Sequence, residues 1–156
     1  MTPAVDQLDK LALPYTLHQY QHETHCKSFG LEAIDKLNVS ADLVFKTLVV
    51  DVDSSYLAVA IIPALEKLNL KKLAKVLNAK KVKMADVNKV QNSTGYVLGG
   101  VSPLGQKKSL VTLIDKSAEA LSTLFISGGK RGLEIELSPC NLALSLYATY
   151  AHIINE

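Results

Sequence analysis

The length, composition and charge of the chain exclude several classes of protein. Its 156 residues, 48% hydrophobic and 21% charged, suit one soluble domain over residues 1–156, and no apolar run approaches the roughly 20 residues of a membrane helix. The net charge is only +2, the two cysteines do not resemble a disulfide framework, and the N-terminus lacks the apolar segment of a signal peptide. We therefore expect a cytoplasmic protein with reduced thiols and no membrane partner.

The first half of the chain is predicted to contain two helices, a strand and a β-hairpin. Thr2-Pro3 is typical of a helix start, and residues 15–20 alternate like a strand. Ser28 is expected to cap the second helix, and residues 44–51 and 56–62 predict two strands that pair as a hairpin. The residues expected to face inward are Val5, Leu8 and Ala12 in the first helix and Leu31, Ile34 and Leu37 in the second.

The second half of the chain alternates less regularly between helix and strand. The predicted elements are a lysine-rich helix over 69–77, a strand over 82–85, a short helix capped by Asp86, strands over 110–114, 124–127 and 133–137, a helix that starts at Ser138-Pro139 and carries Leu142, Leu146 and Tyr150, and a closing strand over 152–154. Strict βα alternation is absent. The pattern therefore predicts an α/β or α+β domain with a curved, mixed sheet.

Glycine is concentrated in two short segments. Seven of the eight glycines lie in residues 95–105 and 128–132. Glycine suits a backbone that needs positive φ or close approach, so the segments predict a pocket that contacts its ligand through backbone N–H groups. Gly99, Ser102 and Pro103 form a Gly-x-x-x-Pro loop able to aim donors at one carbonyl oxygen. The alternatives are a β-bulge with a turn for the first segment and a tight hairpin for the second.

Other candidate chemical groups give weaker signals. Lys46 lies in a predicted buried strand, where an outward, snorkelling position and a role in a site are both open. Cys140, near a predicted helix start, is expected to be a small apolar residue rather than an activated thiol. No serine nucleophile pattern is present. The residues His18, His22, His25 and Cys26 lack the spacing of known metal motifs, so no metal or other cofactor is expected.

The segment from Lys67 to Lys89 holds eight lysines and one acid, Asp86. Such a stripe suits a partner with a phosphate backbone. A solvated helix face explains the same pattern, and the charge alone favours that explanation.

Four motifs resemble the YbaK family, the free-standing relatives of the editing domain of bacterial prolyl-tRNA synthetases. They are Phe45–Leu48, Ser93–Tyr96, Gly99–Lys107 and Ser127–Leu133, and the likeness extends from Thr2 to the final helix. The resemblance implies a barrel-like, curved mixed sheet flanked by helices. It also implies hydrolysis of the ester in mischarged Cys-tRNA(Pro), with Cys-tRNA(Cys) as a further substrate, and a transient complex with prolyl-tRNA synthetase.

The same resemblance assigns roles to individual residues. The backbone groups of Gly99, Gly100 and Val101 would face the reacting carbonyl, and Lys46 would hold the terminal adenosine or orient the ester, while the thiol of the substrate attacks. The residues that it places around the substrate are Tyr20, Phe29, Thr47, Ser102, Pro103, Ser127, Gly129 and Arg131. With the family in mind, the lysines expected to meet the acceptor stem are Lys71, Lys72 and Lys75.

Two other functions stay open at this point. One is a related deacylase for Ala-, Ser- or Thr-charged tRNA, and the other is a tRNA- or nucleotide-binding module without catalysis. His25 or Cys26, near the expected mouth of the pocket, would be placed to alter the preference between cysteine and alanine.

Overall fold

The computed structural model describes residues 1–24 and 28–156. In chain order the helices are α1 (Pro3–Leu11), α2 (Phe29–Leu37), α3 (Leu70–Val76), α4 (Val87–Thr94) and α5 (Pro139–Leu146), and the strands are β1 (Thr16–Gln19), β2 (Phe45–Val52), β3 (Tyr56–Pro63), β4 (Val82–Met84), β5 (Val111–Asp115), β6 (Leu124–Ser127), β7 (Leu133–Leu137) and β8 (Thr149–Ala151). Short 3₁₀ turns cover Ala41–Leu43 and Lys116–Ala120. Among the described residues, no helix is long and apolar enough to cross a bilayer.

The strands form two sheets. An antiparallel sheet has the order β1-β7-β6, and a mixed sheet has the order β4-β2-β3-β5-β8. In the mixed sheet β4, β2 and β3 are antiparallel, whereas β3, β5 and β8 are parallel. A parallel bridge between Val44 and Phe125 links the two sheets. The expected α+β class and mixed sheet are confirmed, but the described strands form two sheets and do not close into a barrel.

The β2–β3 hairpin is the centre of the mixed sheet and is apolar on both faces. Val49 and Ile61 pack into a core that also contains residues of α1, β6 and β7. Val50 and Val52 point the other way and pack with Leu73 of α3. A sheet covered on both faces requires this nearly continuous apolar pattern, which is why the sequence predicts the hairpin. Asp53 and Ser54 make the turn with φ of 52° each.

Helix α1 begins as predicted and ends earlier. The Thr2 hydroxyl accepts a bond from the Val5 N–H and donates one of 2.5 Å to the Gly128 carbonyl, so the helix cap also holds the second glycine segment. Ala12 adopts a left-handed conformation with φ of 55° and is exposed. Its expected place on the apolar face is therefore wrong, because the helix has already ended at Leu11.

Two other predictions are wrong, one about which residues of α2 face inward and one about where α5 ends. In α2, Leu31 is exposed because the helix instead buries Glu32, whose carboxylate accepts bonds from His22 and from the Glu23 N–H. At the C-terminal end, a left-handed conformation at Tyr147 stops α5. Tyr150 therefore lies in β8, and the closing strand is Thr149–Ala151 rather than 152–154.

Close packing at Gly105 gives a stability prediction. Gly95 and Gly105 both have positive φ, but a β-carbon at Gly105 would overlap the backbone of Pro3, whereas at Gly95 it would meet only the flexible side chain of Lys107. We expect Gly95→Ala to cost about 1–2 kcal/mol of unfolding free energy from the backbone conformation alone. Gly105→Ala should cost clearly more in urea unfolding. Equal losses in the two variants would contradict the packing of the first glycine segment against α1.

Candidate active site

A cavity of about 380 Å³ opens where β2 begins. It lies between β2, the start of α2, the first glycine segment and the turn after β6. The residues of the sequence-based site that line it are Tyr20, Phe29, Lys46, Thr47, Gly99, Val101, Ser127 and Arg131. Four others, Gly100, Ser102, Pro103 and Gly129, do not line it. Ser102 and Pro103 are buried in the same loop, and Pro103 faces a separate groove beside α1 and α5.

Lys46 is, with Arg131, one of the two cationic side chains that line this cavity among the described residues. It sits on β2 opposite Ile62 and is partly buried, and it makes no ion pair within the described part of the chain. Burial lowers the pKa of its ammonium group, and the carboxylate of Glu66 opposes that shift. Of the two positions that the sequence left open, an outward snorkelling side chain and a place in a site, the structure shows a partly buried side chain that lines a pocket.

The two glycine segments approach each other closely beside the cavity. A β-carbon on Gly99 would lie 2.6 Å from Nε of Arg131 and 2.7 Å from Cζ of Phe29. A β-carbon on Gly100 would lie 3.0 Å from the Cα of Lys130. A β-carbon at Gly99 would displace these side chains, and one at Gly100 would require the Lys130 backbone to move by a few tenths of an ångström, so glycine allows the loops to approach this closely.

The backbone donors of the first loop differ in availability. The N–H of Gly100 bonds to the Val97 carbonyl at 3.0 Å, so it closes a turn in this state. The N–H groups of Gly99 and Val101 have no hydrogen-bond partner among the described residues, and both residues line the cavity. Two of the three residues therefore keep an N–H group without a partner among the described residues, and these two are the ones that line the cavity.

Arg131 connects the two loops at the rim. Its Nη2 donates to the Leu98 carbonyl at 3.3 Å, and its guanidinium carbon lies 4.5 Å from the centre of the Phe29 ring. Phe29 is the first residue of α2, whose position is fixed by the Ser28 cap. The cation–π contact and the hydrogen bond hold Phe29, Leu98 and Gly99 as one wall.

Glu134 is a cavity residue that the sequence analysis missed. It lies on β7, where its register partners are His18 of β1 and Ser127 of β6, and only 8% of it is exposed. No hydrogen bond or ion pair reaches its carboxyl group from the described residues. Burial raises its pKa to about 8. The available signal was the alternation of apolar and charged residues in β7, which places Glu134 on the other face of the strand from Leu133 and Ile135.

Two histidines of the suspected metal cluster, His18 and His22, each contact a different glutamate. Nε2 of His18 lies 2.9 Å from Glu136, and Nδ1 of His22 lies 2.6 Å from Glu32. These contacts hold the walls near Tyr20 and Phe29 and bring no three ligands together in the described residues. The other two members of the suspected cluster, residues 25 and 26, lie outside the described residues. Cys140 is exposed beside the start of α5 and remote from the cavity lining.

The three lysines expected to meet the acceptor stem lie on α3, outside the cavity. Lys71 and Lys75 are exposed. Lys72 is partly buried, and its Nζ donates to the Ile154 carbonyl at 3.0 Å and lies 3.5 Å from the Glu156 carboxylate. Its ammonium group thus fastens the C-terminal segment to α3.

Comparison with known proteins now adds to this geometry. A family described as "Aminoacyl-tRNA editing domain" matches residues 25–143. The chain belongs to this family. It is 35% identical over 139 residues, covering 88% of this chain and 84% of the relative, to a protein of Enterococcus faecalis named "Putative Cys-tRNA(Pro)/Cys-tRNA(Cys) deacylase EbsC". A shorter match, 35% identical over 63 residues and 40% of each chain, is to "Uncharacterized protein YwhH" of Bacillus subtilis.

Solved structures share the fold of this editing domain along its whole length. One is titled "Crystal structure of a putative trans-editing enzyme for prolyl tRNA synthetase", with a TM-score of 0.86, 17% identity and coverage of 100% of this chain and 99% of that one. Another, "Crystal structure of hypothetical protein APE2540", has a TM-score of 0.88, 25% identity and coverage of 99% and 100%. These likenesses confirm the predicted editing-domain fold.

The buried carboxyl of Glu134 predicts a pH-dependent stability difference. Its pKa is about 8 in the folded editing domain and near 4.5 when the chain is unfolded, so the wild type loses stability as the pH rises through that interval. Glutamine does not titrate. In urea titrations, the unfolding free energy of Glu134→Gln relative to wild type should therefore rise between about pH 5 and 8, by at most about 1.4 kcal/mol for each pH unit.

Glu136→Gln is the matched control, on the same strand as Glu134. Bonds from Thr123 and His18 lower the pKa of Glu136, so removal of its charge should produce the opposite slope, confined to acid pH. A flat difference for Glu134→Gln from pH 5 to 8 would show that its carboxyl is hydrated and ionised.

Proposed function

We propose that this chain is a trans-editing aminoacyl-tRNA deacylase that hydrolyses Cys-tRNA(Pro) and Cys-tRNA(Cys), acting as one domain over residues 1–156 in the cytoplasm. The observation that carries the proposal is the cavity, which holds Lys46 and the unbonded N–H groups of Gly99 and Val101 within the segment that matches the editing-domain family. The name of the Enterococcus faecalis relative supports cysteine as the amino acid.

The chemistry needs little from the protein besides positioning. The thiolate sulfur of the substrate attacks its own ester carbonyl carbon, the carbon–oxygen bond to the terminal ribose breaks, and the ribose oxygen takes up a proton. The product is a cyclic thioester of cysteine, which water then opens to free cysteine. Holding the sulfur near the carbonyl carbon is worth several powers of ten in rate.

Oxyanion stabilisation is the second contribution. Gly99 and Val101 line the cavity and their N–H groups have no partners among the described residues, so these groups are available to donate to the carbonyl oxygen as it gains negative charge. Gly100 acts instead by letting the loop approach Lys130, since its own N–H is bonded to Val97. Lys46 holds the phosphate or ribose of the terminal adenosine and so fixes the ester over these donors.

Glu134 supplies a counter-charge for the amino acid. An aminoacyl ester carries an α-ammonium group, and Glu134 is the acidic side chain among the described cavity residues. A cation placed beside this buried carboxyl favours its ionised form and offsets the cost of burial. The remaining wall residues, Tyr20, Phe29, Thr47 and Ser127, limit the size of the side chain that enters.

The biological need for such a second site is physical. Cysteine and proline are similar in size, and a synthetase pocket discriminates poorly between groups that differ by so little. Hydrolysis at a separate site restores the accuracy.

Selection of tRNA rests on Lys71 and Lys75, which are exposed, and on a transient complex with prolyl-tRNA synthetase, whereas Lys72 is engaged with the C-terminal segment.

Deacylation of a substrate panel tests the proposal. Cys-tRNA(Pro), Ala-tRNA(Pro) and Pro-tRNA(Pro) are each incubated with wild type, with Lys46→Ala and with Lys116→Ala, whose lysine is exposed and outside the cavity. We expect rapid loss of cysteine alone, a fall of about 100-fold or more in Lys46→Ala, and a wild-type rate in Lys116→Ala.

The other outcomes separate the competing functions. Equal hydrolysis of Ala-tRNA(Pro) would contradict the thiol as nucleophile and require attack by water. Absence of hydrolysis for all three substrates would leave a binding module. Full activity of a folded Lys46→Ala variant would remove Lys46 from the site.

A further inference from the structure

A second cleft lies at the opposite end of β2 from the cavity. It has a volume of about 480 Å³, and its lining residues are Asp51, Asp53, Ser54, Lys80, Lys81 and Lys83. It is formed by the turn of the β2–β3 hairpin on one side and by the segment that leads from α3 into β4 on the other.

The backbone of this cleft is held in place by one aspartate. The carboxylate of Asp53 accepts bonds from the N–H of Lys80 at 3.0 Å and from the N–H of Lys81 at 2.7 Å, and the Asp53 N–H donates to the Lys81 carbonyl at 2.8 Å. Lys83 follows on β4, in register with Asp51. The three lysine side chains therefore project from a fixed platform rather than from a loose loop.

The charge of the cleft is positive despite its two acids. Asp51 is buried and is neutralised by Nζ of Lys89 at 2.9 Å, which lowers the pKa of Asp51. The charge of Asp53 is engaged by backbone N–H groups. Lys80, Lys81 and Lys83 are exposed and form no ion pair within residues 1–24 and 28–156. Three ammonium groups thus share one opening with two carboxylates, of which Asp51 is paired with Lys89 through one oxygen and Asp53 accepts backbone N–H bonds.

The cleft is spaced from the cavity by the length of a strand. From Lys46 to Val52, β2 advances six residues, or roughly 20 Å at about 3.3 Å per residue. Helix α3 packs on the face of the mixed sheet that carries Val50 and Val52, and the segment that follows it lines the cleft. Its Lys71 and Lys75 are exposed. Positive charge is therefore distributed from the region of the cavity to the hairpin turn.

We propose that the Lys80–Lys83 cleft binds backbone phosphates of the duplex part of the tRNA acceptor stem while the aminoacylated end occupies the cavity. The inference rests on the proposed function, because the orientation of the RNA is set by the ester at Lys46. The unpaired CCA end spans the first part of the roughly 20 Å along β2, so the phosphates that reach the cleft belong to the adjoining duplex.

The chemistry of the cleft favours duplex RNA. Flexible lysines act as point charges that follow a phosphate backbone without reading bases. Duplex RNA is recognised mainly through its shape, its phosphates and its 2′-hydroxyl groups, since its deep groove is closed to side chains. The Ser54 hydroxyl, in the same cleft, supplies a neutral partner for such oxygens.

The test compares two triple variants of equal charge change. Lys80→Ala/Lys81→Ala/Lys83→Ala removes the cleft lysines, and Lys10→Ala/Lys108→Ala/Lys116→Ala removes three exposed lysines elsewhere. The probe is an uncharged RNA hairpin, without an attached amino acid, that reproduces an acceptor stem with a CCA end, and its binding is followed by fluorescence anisotropy across a salt series. We expect the cleft variant to bind at least 10-fold more weakly at low salt. Its slope of log affinity against log salt should fall by about one for each phosphate that the lysines no longer neutralise.

Two results would overturn the proposal. One is an equal loss of affinity in both triple variants, which would mean that only net charge matters. The other is wild-type affinity and salt slope in the cleft variant. Thermal unfolding of both variants checks that they are folded, and the Asp53 hydrogen bonds are retained because they use backbone atoms of the substituted residues.

A second substrate keeps the cleft separate from the catalytic proposal. A cysteinyl ester on a short single-stranded CCA oligonucleotide fills the cavity but does not reach the cleft. The cleft variant should hydrolyse it within twofold of the wild-type rate, and a large loss would contradict a role confined to the stem. If wild type fails on this ester and on Cys-tRNA(Pro), the proposed function is wrong, while the hairpin measurements still decide whether the cleft binds duplex RNA.

Discussion

The backbone of Gly99 and Gly100 lies so close to Lys130, Arg131 and Phe29 that a β-carbon at either glycine would require its neighbours to shift. This approach shapes one wall of the cavity, which is lined by Gly99, Val101 and Lys46. Donors fixed in advance require no reorganisation when charge develops on a carbonyl oxygen. The proposed function therefore assigns these loops a part in the chemistry.

The rest of the fold secures that approach from behind. Thr2 caps α1 and bonds to the Gly128 carbonyl, and a β-carbon on Gly129 would lie 2.8 Å from the ring of Tyr96. The Tyr96 hydroxyl in turn donates to the Leu104 carbonyl. One buried tyrosine and one helix cap thus connect both glycine segments to the core. Arg131 completes the closure at the solvent side by joining Leu98 to Phe29.

Local signals in the sequence predicted local structure well. The caps at Thr2, Ser28 and Ser138 and the β2–β3 hairpin are confirmed, because each depends on residues near in the chain. The ends of α1 and α5 were misjudged because Ala12 and Tyr147 adopt left-handed conformations without a glycine to signal them. The other failures depended on partners elsewhere in the fold. The inward face of α2 is set by Glu32 bonding to His22, and Glu134 enters the cavity through the register of β7 with β1 and β6. The glycine pattern revealed a pocket, yet only the fold shows that the N–H of Gly100 is bonded to Val97.

The most direct test of this account is the single-turnover deacylation rate of Gly100→Ala on Cys-tRNA(Pro). The added methyl group would lie 3.0 Å from the Lys130 Cα, so the loops must separate by a few tenths of an ångström. We expect the rate to fall at least 10-fold, because small displacements of positioning groups are costly, while the protein stays folded and Gly95→Ala, which contacts neither Lys130 nor Arg131, keeps most of its activity. A wild-type rate for folded Gly100→Ala would show that the contact between the loops does not position the reacting ester.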